Sequence, residues 1–129
     1  GVSERIEFLD FVSDMPALYR GSDVVVQSSL TEGMPNVILE AAALGIPVVA
    51  TDVGGTAEIV RHGENAHLVR AGSVASLVEG IGTVIGKLGA YRQASATASS
   101  GIIARHGIDA RARRMEHLYE AIAGRSHGR

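Results

Sequence analysis

DVVVQSSLTEGMPNVILEAAALGIPVVAT, residues 23–51, is the stretch on which the fold turns. Asp23-Val24-Val25-Val26-Gln27 carries adjacent β-branched residues without alternation, the pattern of a strand covered on both faces, as in a parallel sheet. Ser28 to Met34 is a polar, turn-rich loop. Pro35 opens a helix that runs to about Leu44, where Gly45 provides a stop. Pro47-Val48-Val49-Ala50-Thr51 is the next strand, with its proline confined to the start. Strand, helix, strand at this spacing predicts a three-layer, Rossmann-like α/β domain with Val24 and Val48 on parallel neighbours. In such a sheet ligands bind beyond the carboxyl ends of the strands. The loops Ser28 to Met34 and Asp52 to Thr56 both leave from that edge.

Working outward, Ile6-Glu7-Phe8-Leu9 is apolar enough for a strand continuing toward Phe11-Val12. Ser13 or Asp14 offers an N-cap, Met15, Leu18 and Tyr19 keep helical spacing from Asp14 to Arg20, and Gly21 ends that helix. Downstream, Thr56 is placed to cap a short helix from Ala57 to Arg61, and Ala66 to Val69 is a last strand. The pattern then turns helical over Ser73 to Leu88, Tyr91 to about Arg105 and Asp109 to Ala123. In the last helix Met115, Leu118, Tyr119 and Ile122 form an apolar stripe, predicting an amphipathic, docked helix. The domain is expected over residues 1–123, with 124–129 as a flexible tail.

Composition narrows the chemistry. Aromatics are only 4%, so the core must be built from Val, Ile, Leu and Ala. With no cysteine, disulfides, thiolate catalysis and Cys metal sites are excluded. The five histidines, His62, His67, His106, His117 and His127, lack metal-ligand spacing, so no metal is expected. A net charge of -2 gives no general pull toward nucleic acid, and the Arg111, Arg113, Arg114 cluster has no aromatic interleaving. No apolar run reaches membrane-span length. The expected location is the cytoplasm, with attachment to a membrane through a longer parent chain left open.

The chemistry-bearing stretch is Ser28 to Glu40. Glu32 sits in the loop at the strand edge, and Gly33 lets backbone approach a ligand without an intervening side chain. Past Pro35 the amides of Asn36 and Val37, together with that of Met34, face out from a positive helix end, a ready site for a diphosphate. Glu40 follows about 7–8 Å further along the axis at the usual helical rise. Carboxylate, amides, carboxylate matches the order of sugar hydroxyls, phosphates and ribose hydroxyls in a nucleotide-sugar. The residues alone also admit a solvated loop acid at Glu32 and a surface helix acid at Glu40. Asp52-Val53-Gly54-Gly55 reads as a turn needed for chain reversal before it reads as a ligand contact, and Glu58 reads as structural or solvated.

Glu32-Gly33-Met34-Pro35-Asn36-Val37-Ile38-Leu39-Glu40 resembles the Glu-x7-Glu motif of the retaining GT-B glycosyltransferases of family 4, the glycosyl transferases group 1. Phe8-Leu9-Asp10-Phe11-Val12 and Leu18 to Val24 precede it, and Gly45 to Gly55 and Glu58-Ile59-Val60 follow it, as they do in that family. The resemblance runs strongly from Val2 to Val69 and more weakly through Asp109 to Ile122.

The resemblance implies retaining transfer of a hexose from a UDP-, GDP- or ADP-sugar, with no metal or other cofactor. It implies that Glu32 contacts the donor sugar near the reacting carbon as an electrostatic and positioning group. Gly33, Met34, Pro35, Asn36 and Val37 would frame the sugar and diphosphate, and Glu40 would hold the ribose hydroxyls. The backbone of Asp10, Phe11 and Val12 would lie near the base, although this chain has Asp10 where the family usually has glycine. It further implies a fragment of the C-terminal, donor-binding half, without two strand–helix units ahead of Ile6 and without the N-terminal acceptor-binding domain. Self-association through uncovered sheet edges is an accompanying expectation. An epimerase-like domain of the same architecture and a non-catalytic nucleotide-binding or interaction domain remain alternatives.

Overall fold

The computed structural model describes residues 1–126. Three parallel strands form one sheet in the order β1 (Val25–Gln27), β2 (Val48–Thr51), β3 (Ala66–Val69). Val25 pairs with Val48 and Gln27 with Ala50, and Val48 pairs in turn with Ala66. All four residues of β2 are buried, as expected of a central strand covered on both faces.

Among the described residues six α-helices complete the layers: α1 (Met15–Arg20), α2 (Asn36–Ala43), α3 (Thr56–Ile59), α4 (Val74–Gly86), α5 (Leu88–His106) and α6 (Ile108–Ser126). On one face of the sheet Val48 and Ala50 pack with Tyr19, Ile38, Ala41, Ile59 and Ile102. On the other, Val49 and Val69 pack with Val84 and Tyr91. Helix α5 contributes to both faces, through Tyr91 and Ile102. No helix among the described residues is long and apolar enough to cross a membrane.

Local chemistry sets the boundaries. Asp14 caps α1 by accepting from the Ala17 amide at 3.0 Å, and Ser73 caps α4 through the Ser76 amide at 3.2 Å. Helix α2 ends in a Schellman motif: the Gly45 amide donates to Ala42 at 3.1 Å and the Ile46 amide to Ala41 at 2.9 Å, with Gly45 at φ 73°. The chain therefore reverses directly into β2, which holds the carboxyl ends of β1 and β2 on one edge.

The structure corrects three expectations. Ile6 to Leu9 is not a strand: after a 3-10 turn at Ser3–Arg5 the segment is irregular and exposed, because a strand exists only where a neighbour completes its backbone hydrogen bonds. Thr56 is the first residue of α3 rather than its cap. Gly55 holds the cap position, and the buried Thr56 hydroxyl donates back to Val53 at 2.7 Å. Pro35 opens α2 as its N-cap. Of the α6 stripe expected to dock, Met115, Leu118 and Tyr119 are exposed and lie outside both core clusters among the described residues. Helix α6 also continues through Ser126, three residues into the expected tail, while residues 127–129 lie outside the described residues.

Candidate functional site

The parallel register brings the loops after β1 and β2 to the same sheet edge, and hydrogen bonds lace them together. The Thr51 hydroxyl donates to the Ser29 carbonyl at 2.6 Å, and the Gly55 amide donates to the Gly33 carbonyl at 2.7 Å. Gly54, at φ 54°, sits so close that a Cβ there would stand 2.0 Å from the Glu32 carbonyl oxygen. The two glycines serve turn geometry, and through it they carry the Glu32-Gly33 backbone. Gly33 itself is open on its outer side: a Cβ there would meet nothing within 4 Å.

Glu32 is half-buried, and one of its oxygens is saturated. Oε1 accepts from Gln27 Nε2 and from Ser29 Oγ, both at 2.7 Å. Hydrogen bonds to a charged group of this kind contribute about 1.5–3 kcal/mol each when shielded. Oε2 has no partner among the described residues. Gln27 offers its amide nitrogen to Glu32 while its own Oε1 is buried with no hydrogen-bond partner among the described residues. An orphaned buried acceptor is destabilising by about 1–3 kcal/mol.

Helix α2 begins immediately beyond. Pro35 is fully buried, with φ -74° and ψ 107°, so it shapes the entry and presents no surface. The first intrahelical bond runs from the Leu39 amide to the Pro35 carbonyl at 3.1 Å. No side chain caps the helix and no acid lies in its first turn. The amides of Asn36, Val37 and Ile38 are therefore left for an external acceptor at the positive end of the helix. Asn36 and Val37 are exposed, and Met34 packs its side chain beside Gly55.

Glu40 lies on the exposed side of α2, opposite the buried Ile38, Ala41 and Ala42. Its Oε2 accepts from the Tyr19 hydroxyl at 2.9 Å. Tyr19 is buried, and its phenol is pushed up to about 12 by that burial, then by the hydrogen bond to Glu40 and by the Glu40 charge. Glu40 Oε1 has no partner among the described residues.

The structure thus gathers Glu32, Gly33, Met34, Asn36, Val37 and Glu40 along one loop and helix. It does not tie Asp10, Phe11 and Val12 to them by any hydrogen bond among the described residues: Asp10 and Phe11 are exposed and Val12 is half-buried. Three residues of this site were not assigned from sequence: Tyr19, Gln27 and Ser29. Gln27 carried a signal, as the polar end of a β-branched run. A cavity of about 890 Å³ lies elsewhere, between the 61–65 turn and α5, and shares no residue with this site. Among the described residues no three His, Asp or Glu side chains converge as a metal site.

The chain as a whole has counterparts among known proteins. The sequence pattern of the glycosyl transferases group 1 matches residues 1–87. The chain belongs to that family. A D-inositol 3-phosphate glycosyltransferase of Nocardia farcinica is 38% identical over 88 residues, 67% of this chain and 20% of that protein. A lipopolysaccharide core biosynthesis mannosyltransferase of Rhizobium meliloti is 31% identical over 124 residues, 95% of this chain and 35% of that protein. Anabaena HepE in complex with UDP superposes with a TM-score of 0.86 at 29% identity, covering 93% of this chain and 33% of that one. Its UDP-glucose complex gives a TM-score of 0.84 at 28% identity, covering 93% and 35%. The fold of this glycosyl transferases group 1 chain is that of the C-terminal half of GT-B enzymes. It spans at most about a third of the length of these relatives.

Proposed function

We propose that this chain is the donor-binding part of a hexosyltransferase that moves a sugar from a nucleoside diphosphate to an acceptor with retention of anomeric configuration. One observation carries the reading. Two carboxylates flank three free helix amides, and each has one oxygen held by this chain's own donors and one left open. Glu32 Oε2 receives a hydroxyl of the donor sugar beside the reacting carbon. The amides of Asn36, Val37 and Ile38 receive the diphosphate. Glu40 Oε1 accepts from the ribose diol, which offers two donors to an acceptor-only group. The UDP and UDP-glucose complexes of the similar HepE support a uridine diphosphate sugar among the UDP-, GDP- and ADP-sugars.

In this reading Glu32 works by charge and position. As the bond to the diphosphate lengthens, positive charge develops at the reacting carbon, and a fixed carboxylate nearby stabilises it without having to reorganise. The helix amides stabilise the negative charge that collects on the departing diphosphate. Glu40 holds the far end of the donor and serves binding equally in ground and transition states. The acceptor is supplied from outside this chain, by the N-terminal domain of the two-domain architecture. The reaction itself belongs to that larger enzyme.

The test is the product anomer, followed by NMR in the full-length transferase with UDP-glucose and a matching acceptor. The proposal expects the donor's α configuration in the product. It also expects Glu32→Gln to lower kcat about 100-fold with little change in donor KM, since about 2.7 kcal/mol of transition-state stabilisation is about two decades. A β-linked product, or unchanged kcat in Glu32→Gln, overturns it.

A further inference from the structure

We infer that Gln27 is a positioning residue for the sugar-contacting carboxylate, retained at the end of β1 for its bond to Glu32 and not for the stability of the sheet. The inference rests on the reading of Glu32 as the contact to the donor sugar.

Gln27 ends a run of three valines and pairs in register with Ala50, a fully buried residue of the central strand. An apolar side chain suits that place. The glutamine there leaves its Oε1 buried and without a partner among the described residues. Which way the amide faces is decided by its neighbour: an ionised carboxylate accepts and cannot donate, so Nε2 must face Glu32 and the orphaned oxygen must face away. The molecule thus tolerates an unsatisfied buried acceptor in order to place one donor on Glu32 Oε1. A sheet residue selected for packing would not show this pattern, whereas one serving a site does.

A second donor acts on the same oxygen. Ser29 Oγ lies 2.7 Å from Glu32 Oε1, and the Ser29 backbone is itself anchored by the Thr51 hydroxyl. Two donors from different points of the chain fix the torsion of the carboxylate and leave Oε2 without a partner among the described residues. One arises from the end of β1, the other from the loop. Loss of either donor frees the carboxylate to rotate, which lowers the fraction in productive geometry without removing its charge.

The experiment uses the full-length transferase. Gln27→Met keeps length and removes the donor. Its expected result is a fall in kcat of about tenfold, a donor KM within about twofold of the original, and a Tm equal or higher. Ser29→Ala is expected to give the same split. In a Glu32→Ala background, Gln27→Met is expected to change kcat by less than about twofold, because a residue acting through Glu32 has nothing left to position. Unchanged kcat in a folded Gln27→Met protein overturns the inference and leaves the role of Glu32 standing. So does a tenfold loss that persists in the Glu32→Ala background, or a fall in Tm that accompanies the loss of rate. Unchanged kcat in Glu32→Ala alone removes the assignment of Glu32 itself, and the inference with it.

Discussion

Replacing Gly54 by alanine tests whether the second loop carries the first. Two penalties act at once. Gly54 has φ 54°, a conformation that disfavours a side chain by about 1–2 kcal/mol. Its new Cβ would stand 2.0 Å from the Glu32 carbonyl oxygen and 2.8 Å from that of Gly33, both backbone atoms with little freedom to yield. Bringing the first contact to about 3 Å displaces the Glu32 backbone by about 1 Å, a shift that lowers rates by up to about 100-fold in positioned sites. The displacement also strains the Gly55-to-Gly33 hydrogen bond, for a total loss of about 2–3 kcal/mol. At about 2–4 °C per kcal/mol for a larger domain, Tm falls by about 4–12 °C. Gly63→Ala is the matched control: Gly63 has φ 79° but nothing within 4 Å of a Cβ. It is expected to lose only the conformational part and to keep full turnover. Thermal unfolding and steady-state kinetics of both variants in the full-length transferase decide the matter. Equal losses of Tm with unchanged kcat in both would refute the claim that the glycine turn positions Glu32.

Two predictions concern titrating groups. Tyr19 keeps its proton to about pH 12 in the fold and to about 10 when unfolded, so between those values the native state binds more protons and stability falls as pH rises. Urea unfolding across pH 9 to 12 should show that fall, and Tyr19→Phe should lack it while losing about 1 kcal/mol below pH 10 with the Glu40 hydrogen bond. His67 is shifted the other way, below its ordinary 6.5, by burial and then by the neighbouring His62, against an opposing pull from Glu79. The unfolded chain therefore binds more protons below about pH 6.5, and stability should drop with acid, a component that His67→Gln removes in the same assay.

The features legible in sequence were those governed by local chemistry or by burial on both sides. The valine runs of β1 and β2, the Asp14 cap and the Gly45 stop all act within a few residues of themselves. Ile6 to Leu9 was not legible because strand formation depends on a neighbour, and none among the described residues pairs with it. The α6 stripe was read as docked from its spacing, but spacing shows that a face is apolar and not what covers it. At the site, Glu32, the helix amides and Glu40 lie in one continuous stretch and could be read together. Tyr19 lies 21 residues from Glu40, and only the packing of α1 against α2 brings the phenol to the carboxylate. The Gly54-to-Glu32 contact was hidden for the same reason: it belongs to the register of two parallel strands, not to either loop alone.

The central claim is that the α2 carboxylate holds the donor's ribose, and a double-mutant cycle on affinity tests it most directly. Donor binding would be titrated calorimetrically in the full-length transferase with UDP-glucose and with its 2′-deoxyribose counterpart, each against the unmodified protein and Glu40→Gln. Either change alone should weaken binding about tenfold, about 1.4 kcal/mol, and the two together should weaken it little further, because both remove one interaction. A 2′-deoxy donor that binds the unmodified enzyme as tightly as UDP-glucose would contradict the account and leave Glu40 as the acceptor of the Tyr19 hydroxyl alone.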